Sequence, residues 1–298
     1  MTDTSRRRTG ELLRRLFEIL SSTADGMQAR DALKAVIDSV KLTPYELGEY
    51  ESGSQRVDKI IRFATIDCVK AGWMIKHKGR WSLTDEGRAA YKKLSDPEVF
   101  YKQAVKLYHD WKDAQLPDGS PSEEAAPEDD EPVKEVSITF EKAEEQAWAE
   151  IEQYMRGMNP YDFQELVASL LRAMGYHVSW VAPPGKDGGI DILAHTDALG
   201  TRAPRIKVQV KRMKDNVNVD GLRSFMALLG DDDVGLFVTT GGFTKNAQDE
   251  ARVQAKRKIT LVDLERPFDL WTTHYSKLEE TARRRLPLLP IYFLAPET

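Results

Sequence analysis

The sequence predicts a two-domain α/β chain: a mostly helical N-terminal domain that closes on a β-hairpin, then a mixed sheet flanked by helices. Three observations predict it. Helical apolar periodicity runs through residues 1–112 and yields near Trp73 to two short alternating runs. Over residues 136–298, helical apolar stripes alternate with short β-branched runs. Between them, residues 113–135 hold nine acids, one lysine and four prolines, the composition of an exposed flexible linker.

In the first domain, Leu12, Leu13, Leu16, Phe17 and Leu20 define a helix over Glu11–Leu20, and Asp31–Val40 reads as a second. Thr43-Pro44 is expected to open a short third helix, Thr at the cap and Pro in the first turn. Ser54–Ala71 is the longest pattern; Val57, Ile60, Ile61, Ala64 and Val69 face inward and leave Arg56, Lys59 and Arg62 to face out. Gly72 ends it. Trp73-Met74-Ile75 and Trp81-Ser82-Leu83 are short strands around a His77-Lys78-Gly79-Arg80 tip, and Thr84 caps a last helix. Helices, hairpin and LTDEG in this order resemble a winged helix-turn-helix, which lays one helix in the major groove and the wing on the backbone. Lys76, Lys78 and Arg80 would then neutralise phosphates beside Arg56, Lys59 and Arg62. The alternative is a wing of ordinary hairpin charges that mediates protein contact.

In the second domain, Phe163, Leu166, Val167, Leu170, Leu171 and Met174 form one amphipathic stripe, ended by Gly175. Strands follow at His177–Val181, Gly189–Ala194, Arg205–Arg212, Val234–Thr240 and Ile259–Val262, with helices at Leu222–Leu229, Thr244–Lys256 and Pro267–Tyr275. Asp191 interrupts an otherwise apolar strand. Gln209 and Lys211, two apart on the next strand, share one face, while Val208 and Val210 point into the core. A polar residue among strand apolars is costly unless paired or ligated, so three on adjacent strands suggest one small polar site. Metal-assisted phosphodiester hydrolysis uses this set: a carboxylate and neutral oxygens hold Mg2+, the cation acidifies water, and a lysine stabilises phosphorane charge.

Asp191…Gln209-Val210-Lys211 resembles the PD-(D/E)xK nuclease core in the variant where Gln replaces the second acid. FQELVASLLRAMGY, DGGIDI, VQVKR and VGLFVTTGGFT are similar to the catalytic domain of Mrr-type restriction endonucleases, and AGWMIKHKGRWSLTDEG to that family's N-terminal domain. The resemblance covers most of the chain outside the acidic segment and the C-terminal tail. It implies a restriction-endonuclease-like mixed sheet and a Mg2+-dependent DNA endonuclease, with Mn2+ able to substitute. Its substrate would be foreign double-stranded DNA, with methylated DNA a candidate target. Carried over by position, Asp191 and Gln209 are metal ligands, the Val210 carbonyl a third, and Lys211 the catalytic lysine, so that Asp191, Gln209 and Lys211 form the catalytic set. Many members place a Glu directly after the helix phenylalanine. Here that position is Gln164, and Glu165 falls nearly opposite the apolar stripe. With one firm carboxylate, such a site is expected to bind Mg2+ weakly without DNA. Cutting both strands needs two sites, hence a homodimer or higher oligomer. The rival readings are a non-catalytic DNA-binding regulator on a nuclease scaffold, and a nuclease for branched or damaged DNA or for RNA.

Composition narrows the classes. The net charge of −5 resides in the acidic segment, for residues 1–112 carry 21 basic against 16 acidic residues. No apolar run approaches a membrane span, and MTDTSRRRTGELL lacks the apolar core of a secretory signal. The single cysteine, Cys68, suits a reducing cytoplasm. The histidines at 77, 109, 177, 195 and 274 show no metal-binding spacing. Asp187-Gly188-Gly189 reads as a turn or bulge, Thr239, Thr240 and Thr244 as a capped turn or a phosphate contact, and Trp271 as core or subunit contact. A sharper reading of the acidic segment is that it occupies a basic groove when DNA is absent.

Overall fold

The computed structural model describes residues 5–23, 25–50, 53, 55–114, 131–185, 188–254 and 257–293. By contacts they divide into two units, one running to Ala149 and taking in the chain from Tyr292, the other spanning Glu150–Ile291.

The first unit comprises α1 (Arg6–Ser21), β1 (Met27–Gln28), α2 (Ala29–Ser39), α3 (Arg56–Lys70), β2 (Met74–His77), β3 (Arg80–Leu83), α4 (Asp85–Lys93), α5 (Pro97–Ala114) and the first part of α6 (Glu131–Gly157). The strands form an antiparallel sheet in the order β1-β3-β2. This is winged-helix topology, with α3 as the third helix and β2-β3 as the wing. Lys78 (φ 49°) and Gly79 (φ 71°) make the tip, both left-handed as a two-residue hairpin turn requires. The α1 stripe is fully buried with Phe100 and Ala104 of α5, and Phe17 meets the Phe100 ring edge-on at 5.0 Å.

Thr43-Pro44 does not open a helix. Thr43 N–H donates to the Glu46 carboxylate (2.7 Å) and Glu46 N–H to the Thr43 hydroxyl (3.3 Å), a capping pair around a single turn. Glu46 is then held by Arg8 of α1 at 2.7 Å, and that tie draws the segment back onto the domain. The acidic segment is also shorter than expected: Asp113 and Ala114 end α5 and Glu131–Glu135 begin α6, while 115–130 lie outside the described residues. The unit boundary falls after Ala149, not at 136, because α6 buries Ile138 and Trp148.

The second unit adds α7 (Pro160–Ala173), β4 (His177–Val181), β5 (Ile192–His195), β6 (Arg205–Lys211), α8 (Val219–Met226), β7 (Asp233–Thr239), α9 (Lys245–Val253), β8 (Lys258–Val262), α10 (Glu265–Thr273) and α11 (Glu280–Arg283). The sheet runs β4-β5-β6-β7-β8, antiparallel through β6 and parallel from β6 to β8. One face packs Ile192, Ala194, Val208 and Val238 against the α7 stripe and Trp271 of α10. The other packs Phe237 against Leu222, Phe225 and Met226 of α8 and Ala247 of α9. β5 starts at Ile192, not Gly189, since Gly188 and Gly189 take φ of 66° and 86° and turn the chain into the strand.

Candidate active site

β5 opens with Ile192 opposite Val208 on β6, and Asp191 sits just before it. Gln209 and Lys211, two apart on β6, share one face by alternation, with Val208 and Val210 on the other, and the Asp191 carboxylate reaches β6 between them, at the Val210 backbone. Asp191 is pinned on its backbone as well as its side chain. Its N–H donates to Val208 C=O, its C=O accepts from Ala182 N–H, both at 2.8 Å, and its carboxylate accepts the Val210 N–H at 2.6 Å. The residue is 6% exposed.

The Gln209 amide donates to Gly189 C=O at 2.9 Å. Its oxygen is buried with no hydrogen-bond partner among the described residues. A buried acceptor without a donor costs about 1–3 kcal/mol, and one beside a nearly buried carboxylate is a hard-oxygen pair suited to Mg2+ or Mn2+. The donor set therefore fits the cation expected from the sequence. Val210 packs its side chain into the core opposite and donates its N–H to Asp191. Lys211, half-buried, holds its ammonium 5.7 Å from the Phe237 ring centroid.

Gln164 is buried and donates to Ala182 C=O at 2.8 Å. Ala182 in turn bonds Asp191, so α7 reaches Asp191 through one intervening residue. Glu165 points away and pairs with Arg172 at 3.8 Å. Thr240 brackets Met213 with two bonds, to its N–H and C=O, at 3.0 and 2.9 Å. Thr239 accepts from Gly241 N–H and Thr244 from Ala247 N–H. All three are thus engaged in the turn. Sequence reasoning missed Arg156, whose guanidinium donates to Thr240 C=O and whose own C=O accepts from Arg212. It lies just past Met155 with no pattern to mark it.

In the first unit the six expected DNA contacts separate. Arg80 is exposed, its guanidinium 3.2 Å from Gly26 C=O. Arg56 stacks 4.6 Å over the Tyr45 ring, and Lys59 pairs with Glu135 at 2.5 Å. Arg62 does not face out: it is 4% exposed and pairs with Asp58 (2.7 Å), Glu141 (2.8 Å) and Glu145 (3.0 Å). Burial opposes its charge, but these carboxylates outweigh that and raise its pKa. Lys76 pairs with Glu141 at 2.7 Å, and burial holds its ammonium below the ordinary lysine value despite that partner. Lys78, 7% exposed, sits 4.9 Å from the Trp148 ring centroid. The burial has one cause, α6 lying on α3 and the wing.

Comparison with known proteins follows the same division. Residues 10–93 match the Mrr N-terminal domain family and residues 155–271 the restriction endonuclease family. The chain is 26% identical over 276 residues to the type IV methyl-directed restriction enzyme EcoKMrr of Escherichia coli K12, covering 84% of this chain and 87% of that one. It is 28% identical over 107 residues to the uncharacterized protein y4cE of Sinorhizobium fredii, covering 35% of this chain and 27% of that protein. The solved structure of MspJI restriction endonuclease with a 27-mer oligonucleotide aligns at 13% identity and a TM-score of 0.33, over 70% of this chain and 47% of that one.

Proposed function

The chain belongs to the Mrr family of restriction endonucleases and is an endodeoxyribonuclease, and from that premise we propose that it cuts double-stranded DNA at a divalent-metal site formed by β6 and the residue that precedes β5. Asp191, Gln209 and the Val210 carbonyl would hold the cation, and Lys211 would be the catalytic lysine. When bound, the cation acidifies a water and neutralises charge at the phosphoryl group. Lys211 would stabilise the charge that builds on the phosphorane oxygens, a role for a preorganised ammonium on a rigid strand. The pinned backbone of Asp191 fixes where its carboxylate points, so little reorganisation is needed when substrate arrives.

The observation that carries this reading is the buried, unpartnered Gln209 oxygen, one residue before the Val210 N–H that the Asp191 carboxylate accepts. The winged unit would hold the DNA, through Arg56, Lys59 and Arg80 at the surface and through Arg62, Lys76 and Lys78 once uncovered. We extend the reading to restriction of incoming DNA in the cytoplasm by a homodimer or larger assembly, since two strands require two sites. Methylated DNA is the favoured substrate because the E. coli relative is named methyl-directed. Among the described residues no helix is long and apolar enough to cross a membrane.

The test is cleavage of supercoiled plasmid, methylated and unmethylated, with Mg2+, Mn2+ or EDTA. Cutting should need a divalent ion, and Asp191→Ala or Lys211→Ala should abolish it while DNA binding persists. Wild-type cutting by Lys211→Ala, or cutting in EDTA, refutes the site assignment.

A further inference from the structure

The inward face of α6 carries Ile138, Glu141, Glu145 and Trp148, spaced by three and four residues. Its two ends are apolar and its middle is acidic. Glu141 meets Arg62, Lys76 and the Trp81 indole N–H, the last at 2.8 Å. Glu145 meets Arg62 and the Arg30 backbone N–H, at 3.0 and 3.2 Å. Glu135, one turn earlier, holds Lys59. The hairpin tip is in direct contact: a Cβ on Gly79 would lie 2.8 Å from the Glu145 Cβ. The acidic groups thus face the recognition helix and wing, the elements that meet the groove and backbone of DNA in this topology.

An interface built for stability alone would be apolar, because desolvating ions offsets most of what their pairing returns. This one joins ions at its centre, Lys142 of α6 with Asp58 of α3 (3.4 Å) among them, and buries large apolar side chains at Ile138 and Trp148. Separated, every cation and carboxylate in it regains water, and the cations become available to phosphate.

We propose that α6 from Glu135 to Trp148 is a built-in stand-in for DNA: it occupies the α3–wing surface, and DNA binding there displaces it. The proposal rests on the reading that this surface takes DNA, and deepens it. Before displacement the surface offers phosphate Arg56, Arg80 and the rim of Lys59. After displacement Arg62, Lys76 and Lys78 join them.

The test uses the full chain in EDTA with a short fluorescent duplex. The pair Glu141→Gln and Glu145→Gln should tighten binding about tenfold or more, and steepen the log affinity against log salt slope by about 2, the yield of two cations made available. Unchanged or weaker binding by a variant that melts like the wild type overturns the proposal. A second measurement covers the case where the pair fails to fold. Hydrogen exchange of the wild type should show amides of 135–148 losing protection when DNA is added, and unchanged protection overturns the proposal equally. Arg56→Ala and Arg80→Ala separate the two failures. If they weaken binding while the glutamine pair does not tighten it, α6 occlusion alone is wrong. If they leave binding untouched, the DNA surface lies elsewhere and both readings fall.

Discussion

Replacing Gln209 with methionine tests the site without invoking substrate. Methionine keeps the length and nearly the volume of the side chain but removes both polar atoms. Two terms compete in the metal-free protein. The bond from the amide to Gly189 C=O, 2.9 Å long, is lost at a cost of about 0.5–1.5 kcal/mol. The buried oxygen without a partner disappears too, which returns about 1–3 kcal/mol. The balance runs from about 0.5 kcal/mol against the variant to about 2.5 kcal/mol in its favour, a rise of up to about 10 °C in Tm for a unit of this size. Cleavage should nonetheless fall about a hundredfold or more, the usual loss when one electrostatic partner of a reacting group is removed. The assays are thermal unfolding in EDTA and plasmid cleavage in Mg2+. A variant destabilised by more than about 2 kcal/mol would mean the oxygen has a structural duty, and one that cuts at the wild-type rate would mean it has no duty at the cation.

Other outcomes follow from the same structure. Isothermal titration should detect little Mg2+ binding until DNA is present, since Asp191 is the one carboxylate assigned to the site; a tight metal-only isotherm would contradict this. Gly241→Ala should destabilise the second unit by about 1–3 kcal/mol, because the added Cβ would sit 2.1 Å from Asp215 C=O, just beyond Lys211; urea titration reads it, and an unaltered midpoint refutes it. Asp233 is held by Arg205 (2.9 Å), Lys207 (2.8 Å) and the Gly230 N–H. Burial pushes its pKa up, but these partners outweigh burial and hold it well below 3.8. Its stabilising share is therefore complete above about pH 3.8 and is lost as the pH falls below that toward the folded value. Asp233→Asn should flatten the acid limb of the stability–pH curve and cost about 2 kcal/mol at neutral pH.

Much of this architecture can be read from residue patterns where one physical rule governs a segment. The stripe from Phe163 to Leu171 is buried as its spacing requires, and β6 presents Gln209 and Lys211 on one face because alternation leaves no other choice. Glu165 points outward for the same geometric reason. The pattern fails where two rules compete. Thr43-Pro44 carries correct helix-start chemistry, but the tie from Glu46 to Arg8 limits it to one turn. α6 escapes an apolar-periodicity reading because two of its four inward positions are glutamates, chosen for a basic partner that only the tertiary structure reveals. The same blind spot makes Arg62 look like a surface residue: its helical angle is outward from the α3 core, and only α6 turns outward into buried. Nothing in the sequence indicates that the Gln209 oxygen lacks a donor, since that is a property of the whole neighbourhood.

Cys68 lies on the core side of α3 with no exposed surface, and burial, aided by the neighbouring Asp67 charge, raises its thiol pKa. The folded chain is therefore silent toward alkylating reagents at its native sulfur. A cysteine introduced at Ala147, exposed and nearly opposite Glu145 around α6, would take a single probe with no background label. Trapping of Cys68 itself would then time the opening of the winged unit, so one chemistry reports on the helix and on the core beneath it.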